Sequence, residues 1–167
     1  MSYTVEKIGE YEDLTAVVIM TDMGHRCGYV GIPSYHPLYG KSYNKGTKVL
    51  TRMLKRIKRS PIGKRGIISL FCWDGKKASP EIVFNVHGGL TYSGGCSKDY
   101  PIKKKGTWWF GYDCAHAGDG KDLSVVSDTI REIHEKFPHE DPIRSLEYCI
   151  NECENLAKQL KAVTERR

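Results

Sequence analysis

Apolar residues fall in short runs along most of the chain and change to a spacing of three and four in three places. Leu14–Met20, LTAVVIM, is rich in β-branched residues, and Gly28–Ile32, GYVGI, follows a turn through Asp22–His25, so together they predict a hairpin. Ile67–Trp73, IISLFCW, and Glu81–His87, EIVFNVH, predict two further strands around the turn-rich DGKKASP, and Thr107–Tyr112 predicts another. Val49, Leu50, Met53, Leu54 and Ile57 recur at helical spacing opposite Arg52, Lys55, Arg56 and Arg59, and Pro61, Gly63 and Gly66 end that helix. Ser127–Phe137 begins with Ser and Asp and spaces Ile130, Ile133 and Phe137 as a second helix does. The last element spans 141–163: Asp141 can cap it, Pro142 suits the first helical position, and Ile143, Leu146, Ile150, Cys153, Ala157 and Leu160 make one stripe.

This pattern predicts an α+β fold, a mostly antiparallel sheet of about five strands with two or three helices, including an amphipathic C-terminal one. With no repeat, low-complexity linker or composition break, the chain reads as one domain over 1–167. A chain of 167 residues buries about two-thirds of its unfolded surface, enough for a core without staples.

Cysteine usage and hydropathy narrow the setting. The six cysteines form no CxxC pair, the start MSYTVEKIGEYEDL lacks a basic segment followed by an apolar one, and no apolar run approaches membrane-spanning length. The expectation is a cytoplasmic protein with free thiols and no membrane partner.

The formal charge of +6 is local. Lys45–Arg65 holds nine Lys or Arg and no acid, which leaves 17 basic against 20 acidic residues, a balance of −3, elsewhere. A nucleic-acid binder spreads positive charge over a face, so the segment reads first as a solvated amphipathic helix and second as a segment that docks on phosphate or a membrane surface.

Candidate chemistry concentrates in three connections, where function is commonly carried. Pro33–Tyr43, PSYHPLYGKSY, offers His36, Tyr39 and Lys41. His87–Gly95, HGGLTYSGG, offers His87, Gly88, Thr91 and Tyr92, with glycines that let backbone amides approach an anion. Tyr112–Asp119, YDCAHAGD, gathers Asp113, Cys114, His116 and Asp119 in eight residues, more chemistry than a turn requires. Trp109 of the preceding WW pair is a candidate stacking face, and Glu147 and Asn151, one turn apart on the last helix, are candidates to reach the same pocket. Plainer readings stand beside these: glycine pairs mark ordinary turns, Asp113, Cys114 and His116 match no zinc spacing, and Cys149 and Cys153 at i, i+4 read as buried thiols. The expectation is that all three connections converge at one sheet edge.

GYVGIPSYHPLYG at Gly28–Gly40, HGGLTYSG at His87–Gly94, WWFGYDCAHAGD at Trp108–Asp119 and RSLEYCINECENLAKQL at Arg144–Leu160 resemble the motifs of a family of short bacteriophage and mobile-element proteins. Relative to shorter members, Lys45–Arg65 and Lys121–Glu140 look like insertions. The resemblance implies a genomic setting rather than a mechanism. Small phage proteins often counter host defence by binding or destroying nucleotide-derived signals.

Three functions follow as expectations. The first is sequestration of a small anionic nucleotide-like ligand, with amides and Lys41 for phosphate, Tyr and Trp faces for the base, and Asp or Asn for ribose. The second is hydrolysis of such a ligand, with His87, His116 and Asp113 or Asp119 as acid–base groups or as ligands of a water-activating metal. The third is nucleic-acid binding through the basic segment. The sequence specifies no cofactor, and a homo-oligomer is compatible with all three.

Overall fold

The computed structural model of the chain describes residues 2–58, 77–95, 100–138 and 140–165. Its strands are β1 (Tyr3–Tyr11), β2 (Leu14–Thr21), β3 (Arg26–Pro33), β4 (Tyr92–Gly95) and β5 (Thr107–Asp113). Its described helices are α1 (Lys48–Lys58), α2 (Pro80–Val83), α3 (Asp128–Lys136) and α4 (Leu146–Glu165). The strands form one antiparallel sheet in the order β1-β2-β3-β5-β4, so the fold is α+β as the pattern predicts.

Both faces of the sheet centre are covered, which explains why LTAVVIM is a continuous apolar run rather than an alternating one. On one face Ala16, Val18, Val30, Ile32, Phe110 and Tyr112 pack with Cys149, Cys153, Leu156, Ala157 and Leu160 of α4. On the other, Val17, Ile19, Cys27, Tyr29 and Trp109 form a second cluster flanked by Tyr3, Tyr92, Tyr100 and Ile102. Each large side chain so buried contributes about 1.5–3 kcal/mol, and this double packing fixes the strand ends that carry the loops.

Two strands lie where the sequence predicts none. β1 is a half-exposed edge whose alternation breaks at a register shift between Val5 and Lys7. It turns into β2 through Glu12 and Asp13, both at positive φ (53° and 61°), a conformation usually signalled by Asn-Gly rather than Glu-Asp. β4 comprises Tyr92–Gly95, which reads as turn because of its glycines, yet pairs with β5 from Tyr92↔Gly111 to Gly95↔Trp108.

Ile67–Trp73 lies outside the described residues. Glu81–His87 is not a strand. Pro80 starts the four-residue α2, and the chain then runs extended with Phe84 and Val86 buried between more exposed neighbours. α4 supplies what a neighbouring strand would: Gln159 Oε1 accepts from the Asn85 amide (2.8 Å), and Asn155 Nδ2 and Gln159 Nε2 donate to the Asn85 carbonyl (2.9 and 2.8 Å). The alternation is real, but its partner is a row of helix side chains.

The C-terminal helix begins at Leu146 rather than after Asp141. Ser145 caps it, accepting from the Tyr148 amide at 3.0 Å. The preceding residues strap the site loop instead, with the Gly120 amide donating to the Pro142 carbonyl at 3.0 Å. The strap passes so close that a Cβ at Gly120 would lie 2.0 Å from the Asp141 carbonyl oxygen.

α1 is amphipathic as expected, burying Leu50 and Leu54 while Lys48, Arg52 and Lys55 face solvent. α3 buries none of its residues, and Ile133 and Phe137 are exposed. No described helix is long and apolar enough to cross a membrane. Cys27, Cys114, Cys149 and Cys153 are free and buried.

Candidate functional site

Strand register decides which loops can meet. β3 and β5 pair from Cys27↔Asp113 at one end to Pro33↔Thr107 at the other. The YDCAHAGD loop therefore leaves one end of the sheet, and the loop after Pro33 leaves the opposite end, about 20 Å away at strand rise. β4 starts at the YDCAHAGD end, so His87 arrives beside His116.

The centre of the cluster is Asp119, whose side chain is 1% exposed. Its Oδ2 accepts from His87 Nε2 at 2.8 Å and from the His116 amide at 3.0 Å, and its Oδ1 accepts from Arg144 Nε at 2.7 Å. A turn closed by the Asp119 amide on the His116 carbonyl (3.0 Å) aims the carboxylate inward. Gly118 takes the positive φ of 89° that its place in that turn demands. Burial disfavours the Asp119 charge, but the bonds from His87, Arg144 and the His116 amide outweigh it and hold the carboxyl at about 2.

An ionised carboxylate only accepts, so His87 carries its proton on Nε2. Its Nδ1 is 2.9 Å from the Tyr148 hydroxyl, which donates to it when the ring is neutral, and its amide donates to Glu152 Oε2 at 2.6 Å. Burial, and then the Glu152 charge, push the Tyr148 hydroxyl up. Arg144 stacks over the Tyr148 ring at 5.3 Å, and its hydrogen bond to Asp119 raises the guanidinium further.

His116 is the open member, with a side chain 35% exposed against 11% for His87. The rings lie 5.6 Å apart at 67°. His116 Nδ1 is buried and has no hydrogen-bond partner among the described residues; it faces Asp119 Oδ2 at 3.7 Å and Asp113 Oδ1 at 3.8 Å. Gly88, at φ 61°, lies under this ring, where a Cβ would sit 2.0 Å from His116 Cε1. His87, His116 and Asp119 are a set able to share a metal ion, their ligand atoms all within 4.8 Å of one another.

The loop opens on a cleft of about 390 Å³ whose walls include Met23, His25, Cys114, His116, Asp119, Lys121 and Asp141. Burial pushes the His25 imidazole down, opposed by the Asp113 charge, so this wall holds a neutral ring beside the Lys121 ammonium. Beneath it, Cys114 Sγ is 3.7 Å from Cys149 Sγ, and the Tyr112 hydroxyl donates to the Cys149 carbonyl at 2.8 Å. The floor is rigid.

Of the residues singled out from the sequence, His87, Gly88, Asp113, His116 and Asp119 come together. His36 does not: it is 4% exposed, its Nε2 lies 3.0 Å from the Leu160 carbonyl, and its Nδ1 accepts from the Leu38 amide at 3.1 Å. Leu160 is two turns beyond Glu152, roughly 12 Å along the helix, and His36 is a structural clamp. Tyr39 and Lys41 accompany it at the far end, where the Lys41 carbonyl accepts from Trp108 Nε1 at 3.0 Å and Tyr39 packs 6.2 Å from the Trp108 ring.

Trp109 is fully buried in the cluster on the opposite sheet face and has no surface on which a base could stack. Tyr92 packs there too, edge-on to Tyr29 and Tyr100 at 5.5 Å each. The Thr91 amide is spent on the Gly111 carbonyl at 3.0 Å. Glu147 and Asn151 are exposed on α4, one residue out of phase with the helix face that reaches the site.

That face carries Tyr148 and Glu152, and sequence reasoning passed over Tyr148 together with Arg144, His25 and Lys121. Ser145 as cap would have set the phase, because it places Tyr148 and Glu152 on one side at i, i+4. Comparison with family models, curated proteins and solved structures finds no match to this chain.

A second groove, of about 290 Å³, is lined by Lys48, Thr51, Arg52, Lys55 and Lys77 and shares no residue with the cleft.

Proposed function

We propose that the chain binds a small anionic, nucleotide-derived ligand in the cleft beside His116 and Asp119 and sequesters it, as a phage-type anti-defence protein would. The observation that carries this reading is the convergence of His87, His116 and Asp119 from two separate connections, within 4.8 Å, at the edge of a cleft. A buried polar network beside a cleft contributes less to stability than an apolar one would, and such networks mark sites. His116 and Lys121 supply the donors an anion needs, and the motif resemblance supplies the class of ligand.

Holding is favoured over cutting by the state of the groups. A general base works best with a pKa near the operating pH, and a carboxyl at about 2 that already accepts three hydrogen bonds is far from that. His87 is spent on Asp119 and Tyr148. His116, with Asp113 nearby, is the member of the trio open to a bound molecule.

Hydrolysis is the second reading, favoured by the same trio as a metal-ligand set. Incubation with a panel of cyclic dinucleotides and ADP-ribose-type signals, followed by heat denaturation and chromatography, separates the two. Signal depleted and then returned intact supports sequestration; signal converted to product supports hydrolysis.

A further inference from the structure

We propose that His87 Nε2, His116 Nδ1 and Asp119 Oδ2 bind a single divalent transition-metal ion of the zinc class, which presents an open coordination position to the cleft. The inference rests on the cleft being the ligand site and adds the group that would hold the ligand's phosphate.

Three observations carry it. First, the donor set is two imidazole nitrogens and one carboxylate oxygen, the N/O mixture of open zinc sites, in which a fourth position stays with water or ligand. Atoms bound to one such ion at about 2.1 Å lie roughly 3–4 Å from each other. Asp119 Oδ2 is 3.7 Å from His116 Nδ1, within that span, and 2.8 Å from His87 Nε2, a separation that opens by a few tenths of an ångström when an ion replaces the shared proton.

Second, His116 Nδ1 is buried with no hydrogen-bond partner among the described residues and points between two carboxylates at 3.7 and 3.8 Å. A buried ring nitrogen without a donor or acceptor costs free energy, and an ion at that point removes the cost. Asp113, whose side chain is the more exposed of the two carboxylates, adds a second oxygen within reach of the same nitrogen.

Third, the supporting contacts of a metal site are in place. Arg144 and the His116 amide orient the Asp119 carboxylate, with Arg144 on Oδ1 and Oδ2 turned toward the histidines. The Tyr148 hydroxyl faces the other nitrogen of His87. For His87 to bind through Nε2 the proton there must leave, and the ring's remaining proton then sits on Nδ1, which donates to the Tyr148 hydroxyl. Such outer partners typically change metal affinity by about 10–100-fold.

The test is titration of the chelator-stripped full chain with ZnCl2 alone, read by calorimetry, by metal content after dialysis, and by the visible absorption of a Co2+-loaded sample. The expected result is one ion per chain, affinity reduced at least tenfold in His116→Ala, reduced less in Tyr148→Phe, and unchanged in His134→Ala, a histidine on α3 outside the cluster. Circular dichroism of each variant separates loss of ligation from loss of fold, and His116, being half-buried, is the ligand least needed for folding. Zinc binding that is absent, or equal in the wild type and His116→Ala, overturns the proposal. Depletion of the nucleotide panel by chelator-stripped protein that takes up no zinc overturns the metal site and leaves the cleft reading standing. Zinc binding without depletion of any nucleotide upholds the metal site and overturns that reading.

Discussion

His87 Nε2 and Asp119 Oδ2 are 32 residues apart in sequence and 2.8 Å apart in space, on a carboxylate that is almost wholly buried. That one bond ties the segment after α2 to the loop after β5, and α4 holds both ends through Tyr148 and Glu152 on one side and the Arg144 strap on the other. The cluster is therefore a joint of the fold.

The first prediction concerns acid. Asp119 is held at about 2 in the folded chain against about 3.9 when unfolded, so its stabilisation is complete above about pH 4 and is lost as pH falls toward 2. Discounted for solvent screening, this amounts to about 1–2 kcal/mol. Urea unfolding at pH 6, 4 and 2.5 should show that loss in the wild type, and Asp119→Asn should be less stable at pH 6 and show a correspondingly shallower acid slope.

Gly88→Ala and Gly89→Ala form a matched pair. Both positions have positive φ, 61° and 89°, but only at Gly88 does a Cβ meet the His116 ring. Gly89→Ala should cost about 1 kcal/mol of backbone strain, and Gly88→Ala about 2–3 kcal/mol together with ligand binding. Thermal melts and a binding assay on the two proteins check this; equal effects would show that the His116 ring is not fixed where the structure puts it.

His36 and His116 should dissociate the two roles of histidine. His36→Ala removes two buried hydrogen bonds and should cost about 2–3 kcal/mol while leaving ligand affinity intact in the protein that still folds. His116→Ala should change the melting temperature little and remove binding.

How much of this was legible in the sequence depends on what each residue's neighbours are. β2, β3 and β5 could be read because their runs are buried on the sheet and follow local preference. β1 could not, because a bulge scrambles its alternation and Glu12-Asp13 is an atypical turn pair. EIVFNVH alternates as a strand does, but Asn155 and Gln159, 70 and 74 residues beyond Asn85, take the place of a ladder. The loop chemistry of YDCAHAGD was visible as composition, and its partner His87 with it. Trp109 was misassigned because the two faces of a strand look alike until the register says which one meets α4. His36 was misassigned for the same kind of reason: nothing local distinguishes a histidine clamped on a helix carbonyl from one in a cleft.

The basic groove gives a fourth prediction. Lys48, Arg52, Lys55 and Lys77 share no residue with the cleft, so a Lys48→Glu, Arg52→Glu double variant should deplete nucleotide signals as the wild type does. Binding through several phosphates falls steeply with salt, whereas a single small ligand in a cleft responds much less. Depletion that collapses between 50 mM and 300 mM salt, or in the double variant, would relocate binding to the groove.

The central claim is that the cleft beside His116 and Asp119 takes an anionic nucleotide-like ligand. The most direct measurement is the depletion-and-release assay run side by side on the wild type, His116→Ala and His36→Ala, with the ligand panel quantified before and after heat denaturation. Depletion by the wild type and by folded His36→Ala, recovery of intact ligand on heating, and no depletion by His116→Ala are the expected results. Depletion that survives in His116→Ala, or no depletion of any panel member by the wild type, would contradict that claim.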